Sequence, residues 1–375
     1  MTDLTCGVRL EGIELRRIAM PLVAPFRTSF GTQLTKDALL LRAVTADGEG
    51  WGECVAQVDP LYSSEYLDAC LDVLRRFFIP ALGERDRLTG PAVGQTVARF
   101  HGHRMAKAAL EMAVLDAELR ARGVPLSREL GAARTRVPCG VSVGIMSSIG
   151  ELLEVVGGYL EAGYLRIKLK IEPGWDVAPV RAVRERFGDD VALQVDANAA
   201  YTLADAQQLA RLDAFGLLLI EQPLPEDAIL AHADLARLIQ TPVCLDESIT
   251  SAQAAADAIR LGACRIVNIK AGRVGGYLEA RRIHDVCRAH GVPVWCGGMV
   301  ETGLGRAANV ALAALPGCTL PGDTSGSDRF FTTDITEPFV LDGGYLDVPA
   351  GPGIGVTPVP DLLDAVTTGS EWIAL

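Results

Sequence analysis

Five charged residues recur at an almost constant interval through the middle of the chain. They are Lys170, Asp196, Glu221, Asp246 and Lys270, at steps of 26, 25, 25 and 24 residues. Each closes a short apolar run, and a polar or glycine-containing turn and an amphipathic segment follow it. A strand, a turn, a helix and a second turn occupy about that length. The interval therefore predicts a repeated βα unit with parallel strands.

The repeat also predicts where these side chains meet. In a closed (β/α)₈-type barrel the carboxyl ends of the strands converge on one mouth, where active sites lie. The predicted barrel opens with a strand in residues 137–145, and further strands are expected near residues 165, 191, 217, 242, 265, 293 and 319. Three carboxylates and the lysines on either side of them should therefore face one cavity.

The types of these residues indicate their chemistry. Asp196, Glu221 and Asp246 offer hard oxygen ligands with no histidine or cysteine interleaved, which suits Mg²⁺ or Mn²⁺ better than zinc. Lys168 and Lys170 share one face of their strand, because side chains two positions apart point the same way. Repulsion between the two ammonium groups should lower the pKa of one from about 10.4 toward the range of a general base. A metal and such a base are suited to removing a proton next to a carboxylate.

Short motifs around these residues resemble those of the enolase superfamily, muconate-lactonizing subgroup. The motifs are K-x-K at 168–170, D-A-N at 196–198, E-Q-P at 221–223, D-E-S at 246–248 and N-I-K at 268–270. Within the subgroup, the chain resembles the N-acylamino acid racemase and o-succinylbenzoate synthase branch, through residues 25–32, 296–315, 334–339 and 351–358. The resemblance covers essentially the whole chain, with no departure at a catalytic position.

The resemblance implies an α/β fold, a modified (β/α)₇β TIM-type barrel with an α+β capping domain. We expect residues 1–135 to form the capping domain, with loops that cover the substrate. The barrel and its catalytic site are expected in residues 136–325, and residues 326–375 should return to the capping domain. Runs of β character up to about residue 56, followed by helical periodicity, favour this division.

The resemblance also implies a reaction. The first candidate is racemisation of N-acyl- or N-succinylamino acids, in which Lys170 and Lys270 exchange the α-proton from opposite faces of an enediolate that the metal stabilises. The alternative is o-succinylbenzoate synthase, a syn dehydration in menaquinone synthesis that needs one base and uses the second lysine as a fixed cation. Both reactions in one site are also considered. Arg273 favours racemisation, because a positive charge near Lys270 would help to lower the pKa of that lysine.

The remaining site residues follow from their positions. Asp196, Glu221 and Asp246 are the expected ligands of Mg²⁺, with Mn²⁺ or Co²⁺ as substitutes. The expected substrate contacts are Lys168, Ser142, Asn198, Gly298, Met299, Phe26 and Tyr62. Phe26 and Tyr62 lie in segments 25–33 and 58–66, which we expect to act as lids; alternatively, their rings only hold the cap together. Glu247 is expected behind the metal site rather than in it.

Other enzyme and site classes fit less well. A Schiff-base aldolase on a barrel would use one buried lysine and no spaced carboxylates, and a non-catalytic relative would be expected to have lost ligands. His101 and His103 have no third nitrogen or sulfur ligand in view, so zinc is not predicted. The glycine-rich run 272–276 is interpreted as a βα turn rather than a phosphate loop. The polar segment 323–328 is left open between lining the site and forming an ordinary loop.

The composition limits the classes of binding partner and the cellular location that we expect for the protein. A net charge of −12 argues against nucleic acid and anionic membrane surfaces, so the expected partner is a small carboxylate substrate. Nine cysteines are spread singly without a C-x-x-C pair, which favours reduced, buried thiols. No apolar run approaches the ~20 residues of a membrane span, and no signal peptide is apparent. We therefore expect a cytoplasmic protein, and the family suggests a homo-oligomer built from dimers, up to an octamer.

Overall fold

The computed structural model describes residues 7–375. Its N-terminal part contains a four-stranded antiparallel sheet in the order β13-β1-β2-β3. These strands are β1 (Leu10–Thr28), β2 (Gly31–Thr45), β3 (Gly48–Cys54) and the C-terminal β13 (Thr367–Ala374). Alternate residues of β2 pack into different cores, because side chains alternate between the two faces of a strand. Leu39 and Leu41 pack with the cap helices, whereas Ala38 and Leu40 join the barrel core.

The cap helices cover one face of this sheet. They are α1 (Leu67–Val73), a π-helical turn (Leu74–Phe78), α2 (Ile79–Leu82), α3 (Gly90–Val97), α4 (Arg104–Ala121) and α5 (Leu126–Leu130). Helix α4 lies directly on β3 because two glycines leave room for its backbone. A Cβ atom at Gly50 would stand 2.2 Å from the nitrogen of Ala117, and one at Gly52 would stand 2.1 Å from the carbonyl oxygen of Ala109.

The second part of the chain is built on seven parallel strands whose order in the sheet follows the sequence. They are β5 (Gly140–Val143), β6 (Arg166–Lys170), β7 (Leu193–Asp196), β8 (Ile220–Glu221), β9 (Val243–Leu245), β10 (Ile266–Ile269) and β11 (Val294–Cys296). A two-stranded antiparallel ribbon, β4 (Arg136–Pro138) with β12 (Tyr345–Asp347), lies beside the start of this series. The predicted strand repeat is confirmed for these seven strands.

Helices follow the strands along the chain. They are α6 (Ile149–Glu161), α7 (Val177–Phe187), α8 (Ala206–Ala210), α9 (Ile229–Leu238), α10 (Ala252–Leu261), α11 (Ala271–Val274), α12 (Tyr277–Ala289), α13 (Gly303–Ala313) and, near the C-terminus, α14 (Pro360–Val366). Short 3₁₀ turns occupy Leu203–Asp205, Arg211–Phe215 and Ser327–Arg329. The fold is therefore the predicted capped TIM-type α/β architecture.

The eighth barrel position differs from the expected strand. Near residue 319 the structure has two isolated parallel bridges, Val294 with Cys318 and Cys139 with Gly322. Pro316 and Pro321 lie in this segment, and neither has a backbone N–H to donate to a regular ladder. The amide of Gly140 nevertheless donates to the Gly322 carbonyl at 2.7 Å. The segment thus links the last strand of the series to the first.

Two other expectations can be compared with the fold. The prediction of a loop in segment 25–33 is wrong. Phe26 lies in β1, and the pairing of β1 with β2 continues to the turn between Thr28 and Gly31. Its partner is the start of β2, where Gln33 and Thr32 lie opposite Phe26 and Arg27. Eight cysteines are free and buried, as expected, and Cys6 lies outside the described residues.

None of the helices within residues 7–375 combines the length and apolarity that a membrane crossing requires.

Buried carboxylates fasten the cap to the barrel. The fully buried Glu53 of β3 accepts hydrogen bonds from the Thr302 hydroxyl at 2.7 Å and from the Gly305 amide at 3.1 Å. These groups lie at the N-terminus of α13, where unpaired amides and the helix dipole favour an anion. Glu111 of α4 likewise accepts from the amide of Leu278 at 3.1 Å, at the start of α12. The orientation of the cap over the barrel mouth depends on these contacts.

Removal of Glu53 should therefore destabilise the protein. Glu53→Ala leaves the α13 amides and the buried Lys36, whose Nζ is 4.0 Å from Glu53, without their anion, so we expect a loss of about 3–5 kcal/mol. Urea unfolding followed by circular dichroism measures this loss. The matched control is Glu49→Ala on the same strand, where a half-exposed pair with Arg42 and a hydrogen bond from Trp51 together contribute about 1–2 kcal/mol. Equal stabilities of the two variants would contradict this role of Glu53.

Candidate active site

The strand register places the charged residues side by side. Lys170 pairs with Asp196 across β6 and β7, and Asp196 pairs with Glu221 across β7 and β8. Asp246 and Lys270 directly follow the ends of β9 and β10. All five side chains are buried, and the three carboxylates have no exposed surface. The structure therefore brings the five residues of the sequence repeat together at the carboxyl ends of the strands.

On one side of the carboxylates lie the two lysines of β6. The Nζ atom of Lys170 is 2.6 Å from Oδ2 of Asp196 and donates to Oδ1 of Asn198, also at 2.6 Å. The Nζ atom of Lys168 lies 3.2 Å from Asp196 and 3.0 Å from Glu221. Lys168 is thus held among carboxylates deeper in the barrel, while Lys170 lies nearer the mouth.

On the opposite side lies Lys270. Its Nζ atom is 2.7 Å from Oδ2 of Asp246 and 3.1 Å from the hydroxyl of Tyr62. The Tyr62 hydroxyl also donates to Asp246 at 3.2 Å. Arg273 approaches the other oxygen of Asp246, Oδ1, at 3.1 Å. A tyrosine of the cap therefore completes the surroundings of a barrel lysine.

The expected lowering of the pKa is wrong for Lys270, and Lys168 is not the member of the Lys168–Lys170 pair whose pKa is lowered. Burial disfavours their charged forms, but the nearby carboxylates outweigh it. Asp323, Glu221 and Asp196 raise the pKa of Lys168, and Asp246, with Tyr62 and Glu247, raises the pKa of Lys270 well above its ordinary range. Repulsion between like charges, from which the lowering was predicted, is the smaller effect because each ammonium group contacts carboxylates directly.

The carboxylates form a crowded anionic group. Burial and the charge of Asp196 raise the pKa of Glu221 to about 7, against the opposing effect of Lys168. Burial opposes the ionisation of Asp196 and Asp246 too, but the lysines beside them lower both pKa values. Oδ1 of Asp246 accepts no hydrogen bond and faces only the Arg273 ion pair.

This group fits a hard divalent cation in its chemistry. Three buried carboxylates on adjacent strand ends repel one another, and a metal ion would relieve that repulsion with the oxygen ligands that Mg²⁺ prefers. As they stand, no three His, Cys, Asp or Glu side chains in residues 7–375 are grouped to hold an ion. Lysine ammonium groups lie between the carboxylates instead. The assignment of the three carboxylates as metal ligands therefore rests on the chemical type of their oxygen atoms.

Asn198 and Glu247 connect the two sides of the site. Asn198 has a φ of 43°, a conformation that asparagine tolerates better than most residues, and its Nδ2 donates to Oε1 of Glu247 at 3.0 Å. Burial and the charge of Asp246 raise the pKa of Glu247 to about 8. Glu247 thus lies beside the carboxylate group and contacts Asn198.

A cavity of about 360 Å³ opens above the lysines. Of the expected substrate contacts, it is lined by Phe26, Tyr62, Asn198, Gly298 and Met299. The rings of Phe30 and Tyr62 lie 5.8 Å apart, so the hairpin end and the loop before α1 meet over the mouth. A second cavity, of about 50 Å³, adjoins the same lysines and is lined by Ser142 and Lys168. Phe26 and Gly298 line both cavities, and each of the other expected contacts lines one of the two.

Profile comparisons assign both parts of the chain to known domains. Residues 12–131 match the mandelate racemase / muconate lactonizing enzyme N-terminal domain, and residues 151–362 match the enolase C-terminal domain-like family. The chain belongs to the enolase superfamily. A superfamily member from Listeria innocua superposes with a TM-score of 0.94 at 37% identity, over 98% of this chain and 99% of that one.

Two curated relatives of this enolase superfamily chain carry different activities in their names. An N-succinylamino acid racemase from Amycolatopsis is 72% identical over 366 residues, 98% of this chain and 100% of that protein. An o-succinylbenzoate synthase from Geobacillus kaustophilus is 48% identical over 351 residues, 93% of each chain. The chain is thus similar to an isomerase and to a lyase, the two activities that the sequence motifs suggested.

The open alternative for segment 323–328 is resolved in favour of lining the site, because Asp323 lines the smaller cavity; Asn268 and Lys36 are residues of this superfamily site that sequence reasoning missed. Asp323 is 2.7 Å from Lys168 and 2.8 Å from Arg166, and Asn268 donates to Oε1 of Glu221 at 2.6 Å. Lys36 of the cap donates to the Met299 carbonyl at 3.0 Å. Asn268 could have been found, because it lies two positions before Lys270 on the same strand face. Lys36 gave no signal, since its contact joins residues far apart in sequence.

The metal assignment predicts that Mg²⁺ stabilises the folded protein. A ligand at 100 times its dissociation constant adds about 2.7 kcal/mol to the free energy of unfolding, so Mg²⁺ should raise the melting temperature of the EDTA-treated protein. Glu221→Gln removes one anionic ligand and should abolish most of this increase. The matched control, Glu226→Gln on the exposed loop after β8, should keep it. An unchanged Mg²⁺ response of Glu221→Gln would count against the assignment.

Proposed function

We propose that this protein racemises N-acylamino acids, with N-succinylamino acids as the favoured class. The observation that carries the proposal is the placement of Lys170 and Lys270. Both lysines line the same two cavities, yet they come from β6 and from the end of β10, on opposite sides of the carboxylate group. A substrate α-carbon between them would have one lysine on each face, as a 1,1-proton transfer requires.

In this reaction the two lysines transfer the proton, and neighbouring residues hold the lysines in position. The lysine in its neutral form accepts the α-proton, and the opposite lysine, as an ammonium group, donates a proton to the other face. Asn198 and Asp196 hold Lys170 in position, and Tyr62 and Asp246 hold Lys270.

The residues that would hold the divalent metal are Asp196, Glu221 and Asp246. Mg²⁺ is proposed as the metal, with Mn²⁺ or Co²⁺ as substitutes. When bound, it supplies positive charge that stabilises the negative charge developing on the substrate carboxylate. Lys168 lies between Glu221 and Asp323 at 3.0 and 2.7 Å and contributes a further positive charge beside the substrate carboxylate.

One observation favours the second candidate, the syn dehydration performed by o-succinylbenzoate synthases. The Nζ atom of Lys270 pairs with Oδ2 of Asp246 at 2.7 Å and lies 4.8 Å from the ring centre of Tyr62. A lysine held in this way suits a fixed cation, and the dehydration then needs only Lys170 as its base. The similarity to o-succinylbenzoate synthases also supports this candidate. We propose that one site supports both reactions, with racemisation as the first.

Three broader predictions also belong to this proposal. We propose a cytoplasmic location from the composition, and a homo-oligomer built from dimers from the family resemblance. The C-terminal strand β13 forms an outer edge of the cap sheet, and residues such as Trp372 on it are half exposed.

We also propose the division into a cap (1–135), a barrel (136–325) and a returning C-terminal segment (326–375).

Single lysine substitutions should separate the two half-reactions. In D₂O, Lys170→Ala should stop α-proton exchange with one enantiomer and Lys270→Ala with the other, while both abolish interconversion. Proton NMR of the α-position measures the exchange. Lys107→Ala, on the remote helix α4, is the control and should leave both exchanges unchanged. Loss of all exchange in both folded variants would contradict a division of labour between the lysines.

The variant Lys270→Arg distinguishes the two candidate reactions. Arginine keeps the positive charge but does not lose its proton near neutral pH, so racemisation should fall by at least about 10²-fold, the usual contribution of a general base. Dehydration, if Lys270 acts there only as a cation, should persist. Polarimetry and product absorbance follow the two reactions. Near-wild-type racemisation by Lys270→Arg would refute the two-base mechanism.

A further inference from the structure

A short segment of the barrel borders both cavities. Gly298 and Val300 line each of them, beside Lys170 and Lys270. The segment lies between the end of β11 and the start of α13. Its backbone conformation therefore determines the shape of the wall that a substrate between the two lysines would meet.

Val300 has a backbone conformation that valine rarely adopts. Its φ is 58°, in the left-handed region, where the Cβ atom of an L-residue crowds the following carbonyl oxygen. This region is disfavoured about 5- to 30-fold for a residue other than glycine, and a β-branched residue there is a clear outlier. Such a conformation persists only where neighbouring contacts impose it.

Hydrogen bonds fix both peptide groups of Met299, the residue before Val300. The Met299 amide donates to Oε2 of Glu301 at 2.8 Å, which holds the preceding peptide. The Met299 carbonyl accepts from Nζ of Lys36 at 3.0 Å, which holds the peptide that joins Met299 to Val300. A flip of this second peptide would turn φ of Val300 by about 180°, to an ordinary negative value, but it would also turn the carbonyl away from Lys36. Lys36 therefore opposes the rearrangement that would relieve the strain at Val300.

The ion pair of Lys36 does not by itself explain why this lysine is buried. Lys36 lies in β2 of the cap and is 2% exposed. Its one ion pair within the described part of the chain, with Glu53, spans 4.0 Å, which is beyond hydrogen-bond distance. A buried ammonium group is costly without strong partners. Its hydrogen bond crosses instead from the cap to the Met299 carbonyl of the barrel.

We infer that Lys36 is a positioning residue for substrate binding, because it holds the Met299–Val300 peptide in the strained orientation that shapes the shared wall of the two cavities. This inference rests on the proposed function, since the wall belongs to the site proposed for racemisation. Other residues hold the two catalytic lysines. Loss of Lys36 should therefore weaken substrate binding and leave proton transfer in the bound complex largely intact.

The test replaces Lys36 with methionine, which has a similar length and no donor. The peptide should then flip in most molecules, and the apparent Kd rises by the inverse of the fraction that remains competent to bind. We expect Lys36→Met to weaken the binding of N-succinylphenylalanine, measured by calorimetry with Mg²⁺, about 5- to 30-fold. The KM of racemisation should rise by a similar factor, while kcat changes by no more than about threefold because the bound complex restores the wall.

A second substitution distinguishes this role from a merely structural one. Glycine adopts positive φ about as readily as negative φ, so Val300→Gly in the Lys36→Met background should return the Kd to within about threefold of the wild-type value. Val300→Gly alone should also bind within about threefold of the wild type. The crystal structure of Lys36→Met should show a negative φ at Val300.

The matched control is Lys107→Met on α4. The Nζ atom of Lys107 also donates to a backbone carbonyl, that of Phe100, but Lys107 lies outside the residues that line the two cavities. Its loss should leave the Kd unchanged. If Lys36→Met does not fold, Lys36→Met/Glu53→Gln removes the unpaired carboxylate as well and provides the same comparison. An unchanged Kd in the folded variant, a positive φ retained at Val300, or no rescue by Val300→Gly would overturn the inference.

Turnover separates this inference from the proposed function. Wild-type protein that binds N-succinylphenylalanine without racemising it, with affinity lost in Lys36→Met and restored by Val300→Gly, would contradict the racemase proposal and support the positioning role. Racemisation with a KM that Lys36→Met does not change would contradict the positioning role and leave the racemase proposal intact.

Discussion

The hydrogen-bond register of three parallel strands determines the site. Lys170, Asp196 and Glu221 are direct neighbours across β6, β7 and β8, so their side chains leave the sheet at one level and on one face. A slip of one residue would turn the side chains of that strand toward the helices. The 25-residue interval of the sequence is the outcome of this requirement, because each βα unit must return the chain to the same level.

Burial of so many charges makes the rest of the architecture dependent on pairing. Ion pairs with lysines hold the site carboxylates Asp196, Glu221, Asp246 and Asp323. The cap adds Tyr62 beside Lys270 and Lys36 beside Met299. The cap is itself held by Glu53 and Glu111, which accept from the first turns of α13 and α12. The pairing of buried charges therefore links the stability of the cap and the barrel to the positions of the lysines that face the substrate.

Sequence periodicity was sufficient to predict the barrel and the five charged residues, because strand spacing and side-chain alternation are local properties. It did not predict contacts between distant segments, such as Asp323 with Arg166. The lysine pKa prediction failed for a related reason: repulsion between neighbouring residues is visible in sequence, but the carboxylates that surround Lys270 arrive from other strands and outweigh it. The expected eighth strand is present only as two isolated bridges. Sequence periodicity did not predict this, because backbone pairing depends on the path of the chain in space.

The central claim is that two different lysines act on opposite faces of one carbon. The most direct measurement is the isotopic content of the first product formed from one protonated enantiomer in D₂O, analysed by mass spectrometry before appreciable reversal. With two bases, the second lysine carries solvent deuterium, so the first molecules of opposite configuration should contain deuterium and essentially no protium at the α-carbon. A single base returning the proton it removed would leave substantial protium in that product, and this result would contradict the account.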